Sequence, residues 1–226
     1  MKRPGQTAQN GEKRARILLV DDHPLIRERL AEVINGEADL GVCGEAEDRH
    51  QALEAIAQKE PTLVVIDLTL KNSDGMELIK DIRARWPKLL MLVVSMHEES
   101  LYAERAIRAG AFGYITKQEA SRNILLAIRR VLEGNIYLNE KVAATIIGRL
   151  RASNASTERP SLERLTEREL QVLELTGRGA SIRQVAATLH IGAKTVETYR
   201  ARIRTKLNLK QPSELLQFAI SWAHQR

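Results

Sequence analysis

Short, unbroken apolar runs alternate with amphipathic segments over the first 135 residues. The most informative run is Leu63-Val64-Val65-Ile66, in which three residues are β-branched and which leads directly into Asp67. An unbroken run of this kind predicts a strand that is buried on both faces, as in the middle of a parallel sheet. Similar runs predict further strands at residues 17–20, 40–44, 89–94 and 113–116.

The segments between these runs carry apolar residues at helical spacing. The first of them opens with Pro24, which suits the first turn of a helix, and continues with Ile26, Leu30 and Ile34 on one face. Strands that alternate with helices imply right-handed βαβ crossovers. We therefore predict an α/β fold with a doubly wound, five-stranded parallel sheet.

The pattern changes after residue 135. A helical extension is predicted at about 137–150, and 151–160 is rich in Ser, Asn and Thr, which is typical of a flexible linker. Short helical segments with a Gly-bearing turn then indicate a small all-α domain that contains a helix-turn-helix. The predicted organisation is a disordered tail at 1–14, an α/β domain at 15–135, an extension and linker at 136–162, and the helical domain at 163–226.

The charge is distributed unevenly between the two halves. The chain has a net charge of +6, and residues from 151 onward hold 13 Lys/Arg against 7 Asp/Glu, so the preceding part is neutral. A basic C-terminal part points to a nucleic-acid partner for that part alone. The sequence has neither a run of about 18 apolar residues nor a signal peptide, which predicts a cytoplasmic protein without membrane contact. A single cysteine, Cys43, excludes an intramolecular disulfide and a thiolate metal cluster.

Polar residues stand where the predicted strands end. Because parallel strands of an open α/β sheet share one carboxyl edge, these residues should converge although they span nearly a hundred positions. Asp67 taken alone could simply cap the next helix. The converging set is Asp21, Asp22, Asp67, Ser95 and Lys117.

Three carboxylates at one edge repel each other and favour a bound cation. Oxygen ligands with room for water suit Mg²⁺, which commonly works together with a phosphate. A carboxylate can act as a nucleophile toward phosphorus, and a lysine ammonium can neutralise charge on the transferring oxygens. The set therefore predicts phosphoryl transfer with Mg²⁺ as cofactor.

The third helix of the C-terminal domain, predicted at about 194–207, has an apolar stripe and a basic remainder. Between residues 194 and 210 there are six Lys/Arg, and Glu197 is the only acidic residue. Such a helix suits the major groove of double-stranded DNA, with short polar side chains for base edges and basic ones for phosphates. We predict that Glu197 and Thr198 read bases. The predicted phosphate contacts are Lys194, Arg200, Arg202 and Lys206.

Residues 16–135 closely resemble a response-regulator receiver domain, on the strength of the strand-end residues together with Tyr114 three positions before Lys117. The resemblance implies that Asp67 is the phosphoacceptor and Lys117 its partner. It also implies that Ser95 and Tyr114 form a switch pair. In the resemblance the ligands of Mg²⁺ are Asp21, Asp22, Asp67 and the backbone carbonyl of Thr69.

Residues 165–209 resemble a LuxR-type helix-turn-helix, on the Leu165-Thr166 opening, Thr195-Val196-Glu197 and Lys206-Leu207. The whole chain thus looks like a NarL/FixJ-family response regulator. This implies a transcription regulator rather than an enzyme, which receives a phosphoryl group from a histidine kinase, forms a homodimer when phosphorylated and binds double-stranded DNA.

Two alternatives remain open at this point. In the first, the chain binds DNA independently of phosphorylation and uses the α/β domain for dimerisation. In the second, the chain is a phosphatase with an aspartate nucleophile, like the haloacid dehalogenases. That chemistry requires a second Asp two residues beyond the first, where this chain has Thr69.

Overall fold

Five parallel strands form the central sheet of the N-terminal half. The computed structural model describes residues 14–70, 73–96, 100–152, 162 and 164–224. The sheet strands are β1 (Ala15–Val20), β2 (Leu40–Ala46), β3 (Leu63–Ile66), β6 (Leu90–Ser95) and β7 (Gly113–Thr116), and a short antiparallel hairpin, β4 (Thr69–Leu70) with β5 (Ser73–Asp74), lies between β3 and β6 along the chain.

The spatial order of the sheet is β2-β1-β3-β6-β7. Successive residues of the strands point to opposite faces, so that Val64 and Ile66 belong to one buried cluster and Leu63 and Val65 to the other. Both clusters are covered by helices, as expected for a doubly wound sheet, and the predicted fold class is confirmed. The helices of this half are α1 (Pro24–Asn35), α2 (Arg49–Lys59), α3 (Gly75–Arg85), α4 (Ser100–Ala109) and α5 (Lys117–Leu132).

The C-terminal part is helical. It comprises α6 (Glu140–Ala152), α7 (Glu167–Gly177), α8 (Ile182–Thr188), α9 (Ala193–Lys206) and α10 (Pro212–His224). A capping box begins α7, because the Thr166 side chain accepts from the backbone N–H of Glu169 and the Glu169 side chain accepts from the backbone N–H of Thr166. Helices α7 and α10 approach so closely that a Cβ on Gly177 would lie 2.2 Å from the carbonyl oxygen of Ala219.

Several sequence predictions concern segments outside the described residues. The predicted disordered tail at 1–14 lies outside the described residues except for residue 14, and most of the predicted linker at 151–160 lies outside them as well. Both therefore stay predictions. The hairpin β4–β5 was not expected from the sequence, because each of its strands has only two residues. Among the described residues, no helix is both long enough and apolar enough to cross a membrane.

The chain passes very close to itself directly after β3. A Cβ placed on Gly75 would lie 2.2 Å from the carbonyl oxygen of Asp67 and 2.7 Å from Cα of Leu68. The amide of Gly75 also donates to the carbonyl of Leu68 at 3.1 Å. The start of α3 is therefore fastened to the end of β3, and the missing side chain of glycine is what allows it.

Candidate functional site

The three predicted aspartates meet at the carboxyl edge of the sheet. Asp21 and Asp22 follow β1, and Asp67 follows β3, its neighbour in the sheet. The amide of Asp67 donates to the carbonyl of Val20 at 2.8 Å, which continues the ladder between the two strands as far as the carboxylates. Asp21 and Asp67 are buried, with 4% and 2% of their surfaces exposed.

Lys117 bridges two of these carboxylates. Its Nζ lies 2.7 Å from Oδ2 of Asp21 and 2.8 Å from Oδ2 of Asp67. The residue is the first of α5, whose start is fixed by a capping box between Thr116 and Glu119. Burial works against the charge on Lys117, but Asp67 and Asp21 outweigh it and raise the pKa of the ammonium. The site therefore holds a permanent cation against the predicted phosphoacceptor.

Asp67 has a different balance of forces. Burial disfavours its charge and raises the pKa to about 6, although Lys117 acts in the opposite direction. Oδ1 accepts a hydrogen bond of 3.0 Å from the backbone N–H of Thr69, while Oδ2 faces Lys117. Both carboxylate oxygens are thus engaged by donors, which fix the orientation of the carboxylate.

The acidic edge has the donor set of a divalent cation. One ligand atom each from Asp21, Asp22, His23 and Asp67 lies within 4.8 Å of the others. Oδ1 of Asp22 is buried without a hydrogen bond of acceptable geometry, and Nδ1 of His23 lies 2.8 Å from it. A buried carboxylate oxygen in this position fits an oxygen-seeking ion such as Mg²⁺. His23 was not among the predicted ligands.

The proposed switch pair is in contact. Ser95 ends β6, its exposed surface is 0%, and it is hydrogen bonded to the Tyr114 side chain of β7. Tyr114 is 2% exposed and burial raises the pKa of its hydroxyl. Residue 95 pairs in register with Thr116, the residue before Lys117. Ser95 therefore connects the acidic edge with Tyr114.

Arg27 braces the loop that carries the first two aspartates, a role that the sequence analysis missed. Its guanidinium donates to the carbonyl of Asp21 at 2.6 Å, and to Glu45 and Glu47 at 3.1 Å each. The residue is buried on α1 together with Leu30 and Ile34. The sequence did contain a signal for this role. Arg27 stands three and seven positions before Leu30 and Ile34, on the apolar face of the helix, and a buried arginine requires partners.

The predicted DNA-contacting residues lie on α9. Lys194, Glu197, Thr198 and Arg202 are exposed, whereas Arg200 is half-buried. Lys206 differs from them, because its Nζ lies 2.6 Å from Oε2 of the buried Glu169. A contact between Lys206 and a phosphate stays a prediction, and in this conformation the ammonium is paired with α7 of its own domain.

Helix α7 packs against the N-terminal half, a contact that sequence patterns did not reveal. Four of its charged and polar side chains reach the sheet domain through hydrogen bonds or ion pairs. The contacts are Arg105 to Glu167 at 2.9 Å, Tyr102 to Glu174 at 3.1 Å, Gln171 to Thr69 at 3.1 Å, and Arg168 to the carbonyls of Leu70 and Ser73.

Helix α9 faces this contact. A cleft of about 780 Å³ between the domains is lined by Thr195, Tyr199 and Arg202 on one side and by Ser73 and Asp74 on the other. In addition, the His190 ring, in the turn before α9, lies 6.4 Å from the ring of His23 beside the acidic edge. Part of the predicted DNA-contacting surface of α9 thus faces the N-terminal domain in this conformation.

Comparison with known proteins agrees with this geometry. Residues 17–129 match the family described as response regulator receiver domain, and residues 163–219 match the bacterial regulatory proteins of the luxR family. The two matched segments contain the acidic edge and helices α7–α9, respectively.

Two relatives match over nearly their whole lengths. The nitrate/nitrite response regulator protein NarL of Escherichia coli is 31% identical over 96% of this chain and 98% of its own. The transcriptional activator protein ExaE of Pseudomonas putida is 35% identical over 90% and 95%. The solved structure of RcsB from Salmonella enterica, bound to a promoter with a phosphomimetic, shares the fold with a TM-score of 0.59 at 22% identity, over 92% of this chain and 100% of that one. The chain therefore belongs to the NarL/FixJ family of two-component response regulators, with a receiver domain followed by a LuxR-type DNA-binding domain.

Proposed function

We propose that Asp67 accepts a phosphoryl group from a histidine kinase and that this modification controls DNA binding by the C-terminal domain. The observation that carries the proposal is the placement of Lys117 between Asp21 and Asp67, at 2.7 and 2.8 Å. In this proposal the receiver domain spans residues 15–135, the extension and linker span 136–162, and the DNA-binding domain spans 163–226.

The transfer itself requires an ionised nucleophile. An Oδ atom of Asp67 attacks phosphorus, a new O–P bond forms, and the bond from phosphorus to the donor breaks. The electron pair of that bond leaves with the donor, which is the imidazole nitrogen of a phosphohistidine or the carboxylate oxygen of acetyl phosphate. Lys117 stabilises the ionised form of Asp67 and faces the negative charge that gathers on the phosphoryl oxygens.

The acidic edge fits Mg²⁺. The residues that would hold the ion are Asp21, Asp22, Asp67 and the backbone carbonyl of Thr69, and the buried Oδ1 of Asp22 supports this assignment. When bound, a divalent cation supplies charge neutralisation for the carboxylates and for the phosphoryl oxygens. Without it, Lys117 is the cation that the described part of the pocket presents to Asp67.

The phosphoryl group adds a charge of about −1.5 to −2 near neutral pH. A hydroxyl that donates to the new oxygens would come from Ser95, which is hydrogen bonded to Tyr114 in this conformation. Recruitment of Ser95 would change the partner of a tyrosine that is already buried. We infer that this exchange biases the surface formed by α4 and β7 between two states.

The DNA-binding domain would place α9 in the major groove. Its base-reading candidates are Glu197 and Thr198, and the candidates for phosphates are Lys194, Arg200, Arg202 and Lys206. The net charge of +6 from residue 151 onward supports this role. A homodimer of phosphorylated chains would bind a two-fold DNA site.

The first experiment measures covalent labelling. Radiolabelled acetyl phosphate and Mg²⁺ should label the wild-type chain and the variant Asp39→Asn, whose side chain lies on the surface beside Arg129. The variant Asp67→Asn should take no label, because an amide cannot form the acyl phosphate. Label that persists on Asp67→Asn would disprove the assignment.

The second experiment separates the alternatives. Genomic fragments selected with the phosphorylated protein supply a DNA probe, and its affinity is compared with and without phosphorylation. Tighter binding after phosphorylation supports control by Asp67, whereas equal binding supports a constitutive regulator. Rapid release of inorganic phosphate with many turnovers would instead favour a phosphatase.

A further inference from the structure

Helix α7 of the DNA-binding domain holds the hairpin that directly follows the phosphoacceptor. Nε2 of Gln171 donates to Oγ1 of Thr69 at 3.1 Å. Nη2 of Arg168 donates to the carbonyl of Leu70 and, at 3.1 Å, to the carbonyl of Ser73. We refer to these five residues as the hairpin clasp.

The clasp is built from buried groups. Arg168 is 7% exposed and Gln171 is 1% exposed. Nη1 of Arg168 also donates to Oε1 of Gln171 at 3.1 Å, so the two side chains fix each other's orientation. Polar groups that are withdrawn from water must be satisfied within the protein, and here the receiver hairpin provides the partners. The contact is therefore specific, and its loss would leave buried donors without those acceptors.

The same short segment is bonded to the phosphoacceptor on its other side. The backbone N–H of Thr69 donates to Oδ1 of Asp67 at 3.0 Å, while the Thr69 hydroxyl accepts from Gln171. Gly75, where α3 begins, is packed against the carbonyl of Asp67, so the backbone has no room to move at this point. A change at Asp67 consequently alters the hydrogen bond from Thr69, and Thr69 is itself hydrogen bonded to Gln171 of the DNA-binding domain.

We propose that Arg168 and Gln171 are positioning residues for phosphoryl transfer, which act through Thr69 and keep the phosphoacceptor loop in its unphosphorylated arrangement. This inference rests on the proposed function of Asp67 and adds a direct route from the site to α7. The route is separate from the path through Ser95 and Tyr114. Because coupling between two events is reciprocal, a clasp that opens on phosphorylation must also oppose phosphorylation while it is closed.

The direction of the effect follows from the atoms involved. A phosphoryl group on Oδ1 of Asp67, or a cation that draws the carbonyl of Thr69 toward the carboxylates, would shift Thr69 from the hydrogen bond that it now donates to Oδ1. The closed clasp resists that change by holding the hydroxyl of Thr69 and the carbonyls of Leu70 and Ser73. Loosening the clasp should therefore speed phosphorylation and tighten binding of a divalent cation.

The test uses the full chain with Gln171→Met, which keeps the size of the side chain but removes its hydrogen bonds. A second variant, Arg168→Met, releases the two carbonyls independently. Gln217→Met is the matched control, because Gln217 is exposed on α10 in the same domain. Thermal unfolding establishes that each variant is folded before it is compared.

Two quantities are measured for each protein. The first is the rate of phosphorylation by acetyl phosphate as a function of Mg²⁺ concentration, and the second is the affinity for Mn²⁺ alone, from the electron paramagnetic resonance signal of the free ion. We expect both clasp variants to be phosphorylated about fivefold faster or more, at a lower half-saturating Mg²⁺ concentration, and to bind Mn²⁺ more tightly. The Gln217→Met control should equal the wild type.

Rates and Mn²⁺ affinities that are unchanged or reduced in the folded clasp variants would overturn the proposal. A merely structural role would alter thermal stability without shifting the dependence on the cation. If the wild type takes up no label at all, it is the assignment of Asp67 that fails. The comparison of Mn²⁺ affinities would still decide whether α7 restrains the loop.

Discussion

Tyr102 of the receiver donates a hydrogen bond of 3.1 Å to Oε2 of Glu174 in the DNA-binding domain, across 72 positions of sequence. Tyr102 has no exposed surface, and Glu174 is 4% exposed. Burial and the neighbouring carboxylate of Glu174 both raise the pKa of the tyrosine hydroxyl, so it stays a donor. The two residues thus join α4, beside the proposed switch, to the helix that packs on the receiver.

The variant Tyr102→Phe should weaken this packing. It keeps the ring but withdraws one donor from a buried carboxylate, at a cost of about 2 kcal/mol for a hydrogen bond to a charged acceptor. Energy transfer between dyes on Gln58→Cys and Gln217→Cys, in a Cys43→Ser background, reports how far apart the domains lie. We expect lower transfer efficiency in the unphosphorylated variant. Tyr137→Phe serves as the control, and equal transfer in all three proteins would contradict the prediction.

Domain packing should also depend on pH through Glu167. Burial raises the pKa of this carboxyl from 4.5 to about 7, while Arg105 and Lys80 lower it and Asp74 raises it further. When the domains separate, the group returns toward its ordinary pKa. Between about pH 4.5 and 7 the packed protein therefore binds more protons, and the stabilisation that protonation gives is lost as the pH rises through that interval.

Thermal unfolding at pH 5.5 and pH 8 checks this sign. The wild type should lose stability at the higher pH by more than Glu167→Gln, which is neutral at both. The difference is about 2 kcal/mol, because the interval from pH 5.5 to the pKa of about 7 corresponds to roughly 1.5 units at 1.36 kcal/mol each. Asp67 titrates in the same direction in both proteins, so the comparison cancels it. Parallel pH profiles for the two proteins would refute the role of Glu167.

Replacement of Gly75 by alanine should damage the site by steric means alone. The new Cβ would lie 2.2 Å from the carbonyl oxygen of Asp67, and main chain cannot yield as a flexible side chain does. We expect a loss of about 3 kcal/mol in the free energy of unfolding, at the upper end for overpacking, together with slower phosphorylation. Chemical denaturation measures the first effect.

Gly148→Ala provides the control for that experiment. Residue 148 lies in α6, and among the described residues no atom beyond its chain neighbours and its own helix backbone lies within 4 Å of a Cβ placed there. Alanine should stabilise that helix by up to about 1 kcal/mol. Similar destabilisation by both substitutions would show that close contact is not the cause.

Two basic residues of α9 should separate stability from DNA binding. Lys206→Met removes the cation that lies 2.6 Å from the buried Glu169, so the DNA-binding domain should be destabilised by about 3 kcal/mol. Arg202→Met should leave stability unchanged, because Arg202 is exposed. It should reduce the slope of the logarithm of the DNA-binding constant against the logarithm of salt concentration by about one unit, as expected for the loss of one phosphate contact. Fluorescence anisotropy on the selected DNA at several salt concentrations measures the second effect. An unchanged salt slope for Arg202→Met would argue against a phosphate contact.

The acidic edge was predictable because it depends on regular structure. An apolar run such as 63–66 specifies a buried strand, and parallel strands end together, so the positions of Asp21, Asp67 and Lys117 followed from topology. The helices of the C-terminal domain were equally readable, since Thr166 and Glu169 mark a helix start.

The contacts between the domains could not be predicted in the same way. Gln171 and Thr69 are 102 positions apart, and neither residue has an unusual local pattern. Periodicity shows which face of a helix is apolar, but it does not show which polar face will meet another domain. The bracing by Arg27 falls between these cases, because its position on an apolar stripe was visible although its partners were not.

Nearly the whole length of α7 is enclosed in this conformation, including the charged residues Glu167, Arg168 and Glu174. When the domains part, the four α7 side chains that bond to the receiver are polar, and water can replace the hydrogen-bonding partners that they lose. The separated form thus exposes hydrated polar side chains at this contact. Hydration of these side chains keeps the closed and open arrangements close in free energy. A single phosphorylation can then shift the population from one to the other.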